Sequence, residues 1–174
     1  GDTRFAPIES ATGRRVPTMY LAADETSALL ETIFHTVDAP SAAPGPPLAA
    51  PTVPEGKLRS WLVTALESPT PAQLADFRDP ALAAMGVARS QLITSPAEHY
   101  PCTRRIATAV HHDPRGVAGI IWHSRQAELT GYGAVETVVL FGDRHVSGRG
   151  QWIPREAGSR NLFEGPGRDL AEEI

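Results

Sequence analysis

One stretch limits what this chain can fold into more than any other. Residues 39–56 hold six prolines and no basic side chain. Proline lacks the backbone donor and fixes φ, so neither a helix nor a central strand can run through such a segment. It is expected to be an extended loop, lacking regular structure and packing loosely. The 38 residues before it are too few for a core of their own. The regular elements on its two sides must therefore pack together, and residues 1–174 read as a single domain carrying a proline-rich insert. The chain opens Gly1-Asp2-Thr3 without an initiator Met, so its start is expected to be trimmed.

Composition narrows the class of function. Lys+Arg 16 against Asp+Glu 20 gives a net charge of −4, and the pI is near 5.9. Such a chain has no general attraction for nucleic acid or for an anionic membrane. Its basic pairs, Arg14-Arg15 and Arg104-Arg105, are too short for a phosphate-tracking stripe. They would have to meet Arg125 in space to form a cationic funnel. The single cysteine, Cys102, excludes an internal disulfide framework and a Cys-rich zinc module. No apolar run approaches the ~20 residues of a membrane helix, and no secretory leader is evident.

The pattern predicts a mixture of elements. The clearest helix spans 25–37, with Asp24 as its cap, Glu25 at the positive end of its dipole, and Leu30, Ile33, Phe34 and Val37 on one face. Short strands are predicted at 16–22, 58–66 and 73–77. Asp79-Pro80 opens a short helix that Gly86 closes. A further helix covers 103–112, with Ile106, Ala109 and Val110 expected on its apolar side. The runs 117–123 and 135–141 are β-branched, glycine-bounded and the most strand-like. Beyond 145 the chain reads as loop until a short helix at 168–174. Strands and helices do not alternate regularly, so the fold class is α+β.

Motifs for phosphate loops, dinucleotide glycine turns, nucleophile elbows and H-E-x-x-H zinc sites are missing from the sequence. His111-His112-Asp113 reads as a solvated helix end, because adjacent side chains on a helix diverge by about 100° and seldom share a metal. Three positions stand out. Arg4 lies in a short segment near the start. Glu31 sits at the rim of the apolar face of the first helix, beside the small residues Ser27 and Ala28. Ser124 and Arg125 end a strand of buried type, a common location for site residues. His123 would point to the opposite face of that strand, so it is a poor base for a nucleophilic Ser124.

These residues, with the stretches around them, resemble the RES domain family, named for an arginine, a glutamate and a serine. The stretches are Arg4-Phe5-Ala6-Pro7, Val16 to Ala22, Ala28 to Val37, Leu74 to Phe77, Gly119 to Arg125 and Val138 to Phe141. The resemblance runs from Arg4 to about Arg144, and its specificity lies in the order and spacing of the pieces. It implies that Arg4, Glu31 and Ser124 are the catalytic set, with Arg4, Tyr20 and Ser124 also binding the dinucleotide. It implies an ADP-ribosyltransferase-like split β-core, mixed or antiparallel, with flanking helices.

The activity implied is that of a bacterial toxin that degrades NAD, as a glycohydrolase or phosphorylase. A protein ADP-ribosyltransferase is the alternative, followed by a non-catalytic binding module. NAD would be the substrate, with no metal. The partner would be a Xre-type antitoxin, which would carry any DNA binding; a homodimer is left open. The expected location is the bacterial cytoplasm, with delivery into another cell also open. Family members usually carry an earlier strand with a further arginine, which this sequence does not show.

Within that resemblance each residue has a chemical reason. Breaking the nicotinamide–ribose bond builds positive charge on the ribose. Glu31 would stabilise that charge, Arg4 would hold the pyrophosphate with its planar fork, Tyr20 would stack on nicotinamide or its ribose, and Ser124 would orient the same end of the substrate. The three named residues are therefore expected to meet in one cleft.

Overall fold

The computed structural model describes residues 2–34, 53–145 and 152–174. The elements, in chain order, are β1 (Ile8–Glu9), β2 (Arg15–Val16), β3 (Thr18–Ala22), α1 (Glu25–Thr32), α2 (Glu55–Leu58), β4 (Leu62–Glu67), β5 (Leu74–Asp76), α3 (Asp79–Ala84), α4 (Arg89–Leu92), a 3-10 turn at Ala97–His99, α5 (Tyr100–His112), β6 (Gly119–His123), α6 (Arg125–Leu129), β7 (Glu136–Phe141), β8 (Ile153–Asn161) and α7 (Gly165–Glu172). The α+β class holds.

The central sheet has the order β3-β7-β6-β5. β7 runs antiparallel to both β3 and β6, whereas β5 and β6 are parallel. Parallel neighbours need a long crossover, and here α3, α4 and α5 supply it. Side chains alternate along each strand, so the register puts Tyr20, Val139, Ile120 and Ala75 in one row across the sheet. That row faces the main core. Phe5, Ile8, Val16, Phe77, Leu82, Leu92, Ile93, Ala107, Trp122 and Phe141 complete it. Each valine, leucine, isoleucine or phenylalanine among them contributes about 1.5–3 kcal/mol when fully buried. Gly119 starts β6 because a Cβ there would lie 2.1 Å from the carbonyl oxygen of Val139; only glycine lets the strands approach so closely.

A smaller unit joins at α1. β4 and β8 form an antiparallel pair, and α7 follows β8. Leu29, Val63 and Leu162 are the buried centre, with Ile33, Phe34, Leu58, Leu170 and Ile174 packed around them. The Glu25 carboxylate of α1 also pairs with Arg160 of β8.

Several expectations shift. Asp24 caps α1 as expected, accepting from Ser27 N at 2.7 Å. Residues 35–37 of the predicted helix, and most of the proline-rich stretch, lie outside the described residues. The last two residues of that stretch, Glu55 and Gly56, begin α2 instead of continuing a loop. The strand expected from 58 starts only at Leu62, because Leu58 closes α2. Asp79 is the first residue of α3 and Arg78 the cap. On α5 the buried side is Thr103, Ala107 and His111; of the three residues expected there, Val110 packs against the core, while Ile106 is 40 % exposed and Ala109 is exposed. His111 is not solvated. It is buried, with Nε2 at 3.0 Å from the Asp143 carboxylate. The region after 145, read as loop, contains β8, the longest described strand.

Candidate active site

Arg4 is fixed from several directions. Its Nη1 donates to Leu92 O at 2.8 Å, to Ser95 O at 3.1 Å and to Ser95 Oγ at 2.8 Å. Its guanidinium carbon lies over the Tyr100 ring, 5.0 Å from the centroid, within cation–π reach. The buried Thr103 hydroxyl donates to the Arg4 carbonyl. The loop after α4 and the start of α5 thus clamp both ends of the residue. Phe5, next in sequence, is fully buried against Phe77 and Trp122. The main core therefore sets where Arg4 stands.

Tyr20 belongs to the same clamp. Its hydroxyl accepts from Phe5 N at 3.2 Å and shares a hydrogen bond with Thr3 Oγ1 at 2.7 Å. Its ring meets Trp122 edge-on, with centroids 6.1 Å apart. Burial pushes the phenol pKa up, against the opposing hydrogen bonds from Thr3 and Phe5. Both ends of the side chain are engaged inside the protein, and it braces the Arg4 segment. The aromatic ring directly beneath Arg4 is Tyr100. The sequence offers only a weak signal for it, a tyrosine just before Pro101 at the start of a helix.

Glu31 approaches from α1, and Ser124 joins it. The Ser124 hydroxyl donates to Glu31 Oε1 at 2.5 Å and accepts from Ala127 N at 3.0 Å, capping α6. Its backbone N–H donates to Val135 O at 2.8 Å. Ser124 is fully buried. A charge-assisted O–H···O⁻ bond this short fixes the orientation of the carboxylate. Among the described residues no imidazole bonds to Ser124; its hydroxyl proton is directed to the Glu31 carboxylate.

The two sides meet electrostatically. Burial pulls the Arg4 guanidinium below its ordinary pKa; Arg125 acts in the same direction, while Tyr100, Glu31 and Tyr20 oppose it. Ser124 and Glu31, 93 positions apart in sequence (124 − 31), meet directly, while the charges of Glu31 and Arg125 act on Arg4, 27 positions before Glu31 (31 − 4). A fixed cation, an oriented carboxylate and an aromatic face suit a ligand with an anionic group, hydroxyls and a flat ring.

Among the described residues one group has metal-ligand spacing. Asp79, His123 and Glu128 bring ligand atoms within 4.8 Å of one another. Arg89 sits among them, 2.6 Å from Glu128 and 3.3 Å from Asp79, and also donates to His123 O. Its permanent charge already serves both carboxylates. No helix among the described residues is long and apolar enough to cross a membrane.

The family model of the RES domain matches residues 1–157 of the 174. Comparison with curated proteins found no match, and comparison with solved structures found none.

Proposed function

The chain belongs to the RES domain family, and on that premise we propose that it is an NAD-cleaving enzyme, the toxin of a bacterial toxin–antitoxin pair. The observation that carries this reading is the 2.5 Å bond from Ser124 to Glu31, which orients a carboxylate whose charge acts on the clamped Arg4.

The bond from ribose C1′ to the nicotinamide nitrogen breaks, and its electron pair leaves with nicotinamide as a neutral base. Positive charge spreads over C1′ and the ring oxygen. Glu31 stabilises that charge through the ribose hydroxyls. Preorganised groups of this kind are worth about 10²–10³ in rate. Arg4 binds the pyrophosphate, and Tyr20 keeps Arg4 in place. Ser124 acts through Glu31, so it is a positioning residue. Water or phosphate then attacks C1′; water gives ADP-ribose and releases a proton, phosphate gives ADP-ribose 1″-phosphate. The four-stranded sheet beside the separate β4–β8 pair supports an ADP-ribosyltransferase-like split core. A Xre-type antitoxin would cover these residues in the bacterial cytoplasm and bring any DNA binding with it.

The test is incubation of purified protein with NAD, with and without phosphate, and identification of the products. Free nicotinamide with either ADP-ribose product supports the reading. Intact NAD overturns it, and ADP-ribose found on protein instead would move it to protein modification.

A further inference from the structure

Two supports of the candidate site start from one short helix. α4 runs only from Arg89 to Leu92. At its end the Leu92 carbonyl accepts from Arg4 Nη1 at 2.8 Å, and Ser95, just beyond, adds two further acceptors. At its start the Arg89 side chain reaches onto the turn that carries Ser124. Its Nη2 donates at 3.1 Å to the carbonyl of His123, the residue before Ser124. Its Nη1 donates at 2.6 Å to the Glu128 carboxylate of α6, and lies 3.3 Å from Asp79. Leu92 and Ile93 are buried in the main core, which fixes α4 in place.

The sheet explains why a donor is needed there. β5 pairs with β6 only as far as Asp76, and Phe77 N then donates to Ile121 O at 2.8 Å. The next carbonyl on that edge of β6 belongs to His123, two residues on, where β5 has ended. A backbone acceptor inside a fold needs a partner, and Arg89 supplies it. The same planar fork holds Glu128, four residues after Ser124 (128 − 124), so one rigid group grasps both ends of the first turn of α6. Ser124 caps that turn and carries the bond to Glu31. We propose that Arg89 is a positioning residue, a staple that sets the Ser124–Glu31 pair relative to Arg4. It acts through α4 on one side and through the Ser124 turn on the other. The proposal rests on the NAD reading for the reaction served, whereas the staple consists of bonds already made in the free protein.

The experiment measures amide hydrogen exchange and NAD kinetics on the same preparations of the full chain. In Arg89→Gln the amides of Ala127 and Glu128, which donate to Ser124, are expected to exchange about tenfold faster, while mid-strand amides of β7 keep their protection. The kcat should fall about tenfold or more with KM little changed, since a misplacement of about 1 Å costs up to about 10² in rate. In a Ser124→Ala background the same substitution should cost little more, because both act through one carboxylate; independent effects would multiply. Arg89→Lys should recover part of the loss, keeping the charge without the fork. Arg115→Gln removes an exposed pair with Asp113 and should alter neither reading. Unchanged exchange in folded Arg89→Gln, an unchanged kcat, or a loss that multiplies with that of Ser124→Ala overturns the staple. If Arg89→Gln does not fold, the same criteria apply to Arg89→Lys. If the unaltered chain leaves NAD intact, the NAD reading falls and exchange alone decides the staple: faster exchange at the start of α6 supports it, and unchanged exchange overturns it.

Discussion

Arg4 and Glu31 stand on different foundations. Arg4 grows out of the main core. Its neighbour Phe5, its brace Tyr20 and the residues that hold it, from Leu92 to Thr103, all lie in or against that cluster or on the elements covering it. Glu31 sits on α1, whose apolar side packs instead with Val63 and Leu162 in the smaller unit. Among the described residues the main cluster holds twelve buried side chains and the smaller one three. A unit with fewer buried contacts opens more readily. The cation is therefore a fixture of the fold, while the carboxylate depends on a weaker support, and Ser124 is the joint that ties α1 back to the main sheet.

The largest effect should come from the main core. Phe5→Ala is expected to cost about 3–5 kcal/mol, read by denaturant unfolding, and to abolish activity by releasing Arg4. Leu162→Ala should cost about 2–5 kcal/mol by the same measure. Hydrogen exchange separates the two: Leu162→Ala should expose amides of α1, β4 and β8 and spare β6 and β7. Equal loss of protection in both regions would break the comparison.

Ser124→Ala comes next. It removes the bond to Glu31 and the cap of α6, together about 1–2 kcal/mol. Its turnover loss should lie in kcat more than in KM, because the carboxylate loses its aim. A change in KM alone would place Ser124 on the substrate instead. The smallest effect belongs to Tyr20→Phe. It deletes the acceptor for Phe5 N and the link to Thr3, about 1 kcal/mol, and should raise KM for NAD modestly by loosening Arg4. A ring that only stacked on the ligand would keep its function as phenylalanine, so unchanged kinetics would restore the stacking role.

These differences bear on what the sequence could reveal. The sheet strands β3, β6 and β7 were legible because β-branched and aromatic residues fall between glycines and Pro17. Asp24 marked its helix because a short acidic side chain satisfies a free N–H there. Arg4, Glu31 and Ser124 were legible as a set only through the order of the motifs, since nothing in the local pattern of a lone arginine says what it faces. β8 was missed because Pro154, Gly158 and several charged residues interrupt its alternation, and it is held by one partner, β4. The buried side of α5 was read only in part, through Val110, because its fully buried residues Thr103, Ala107 and His111 do not read as an apolar stripe. The Tyr100 platform and the Leu92 and Ser95 acceptors come from a crossover 88 to 96 residues away from Arg4 (92 − 4 and 100 − 4), a placement that only the tertiary fold supplies.

Glu31→Ala tests the central claim most directly, with NAD turnover and thermal unfolding measured on the same sample. Glu31 is half-buried, and its side chain accepts from Ser124, which keeps its cap to Ala127. Its loss should cost the fold about 1 kcal/mol, while NAD cleavage falls by about 10²–10³ as transition-state stabilisation is removed. A folded Glu31→Ala protein that turns over NAD like the unaltered chain would contradict the account.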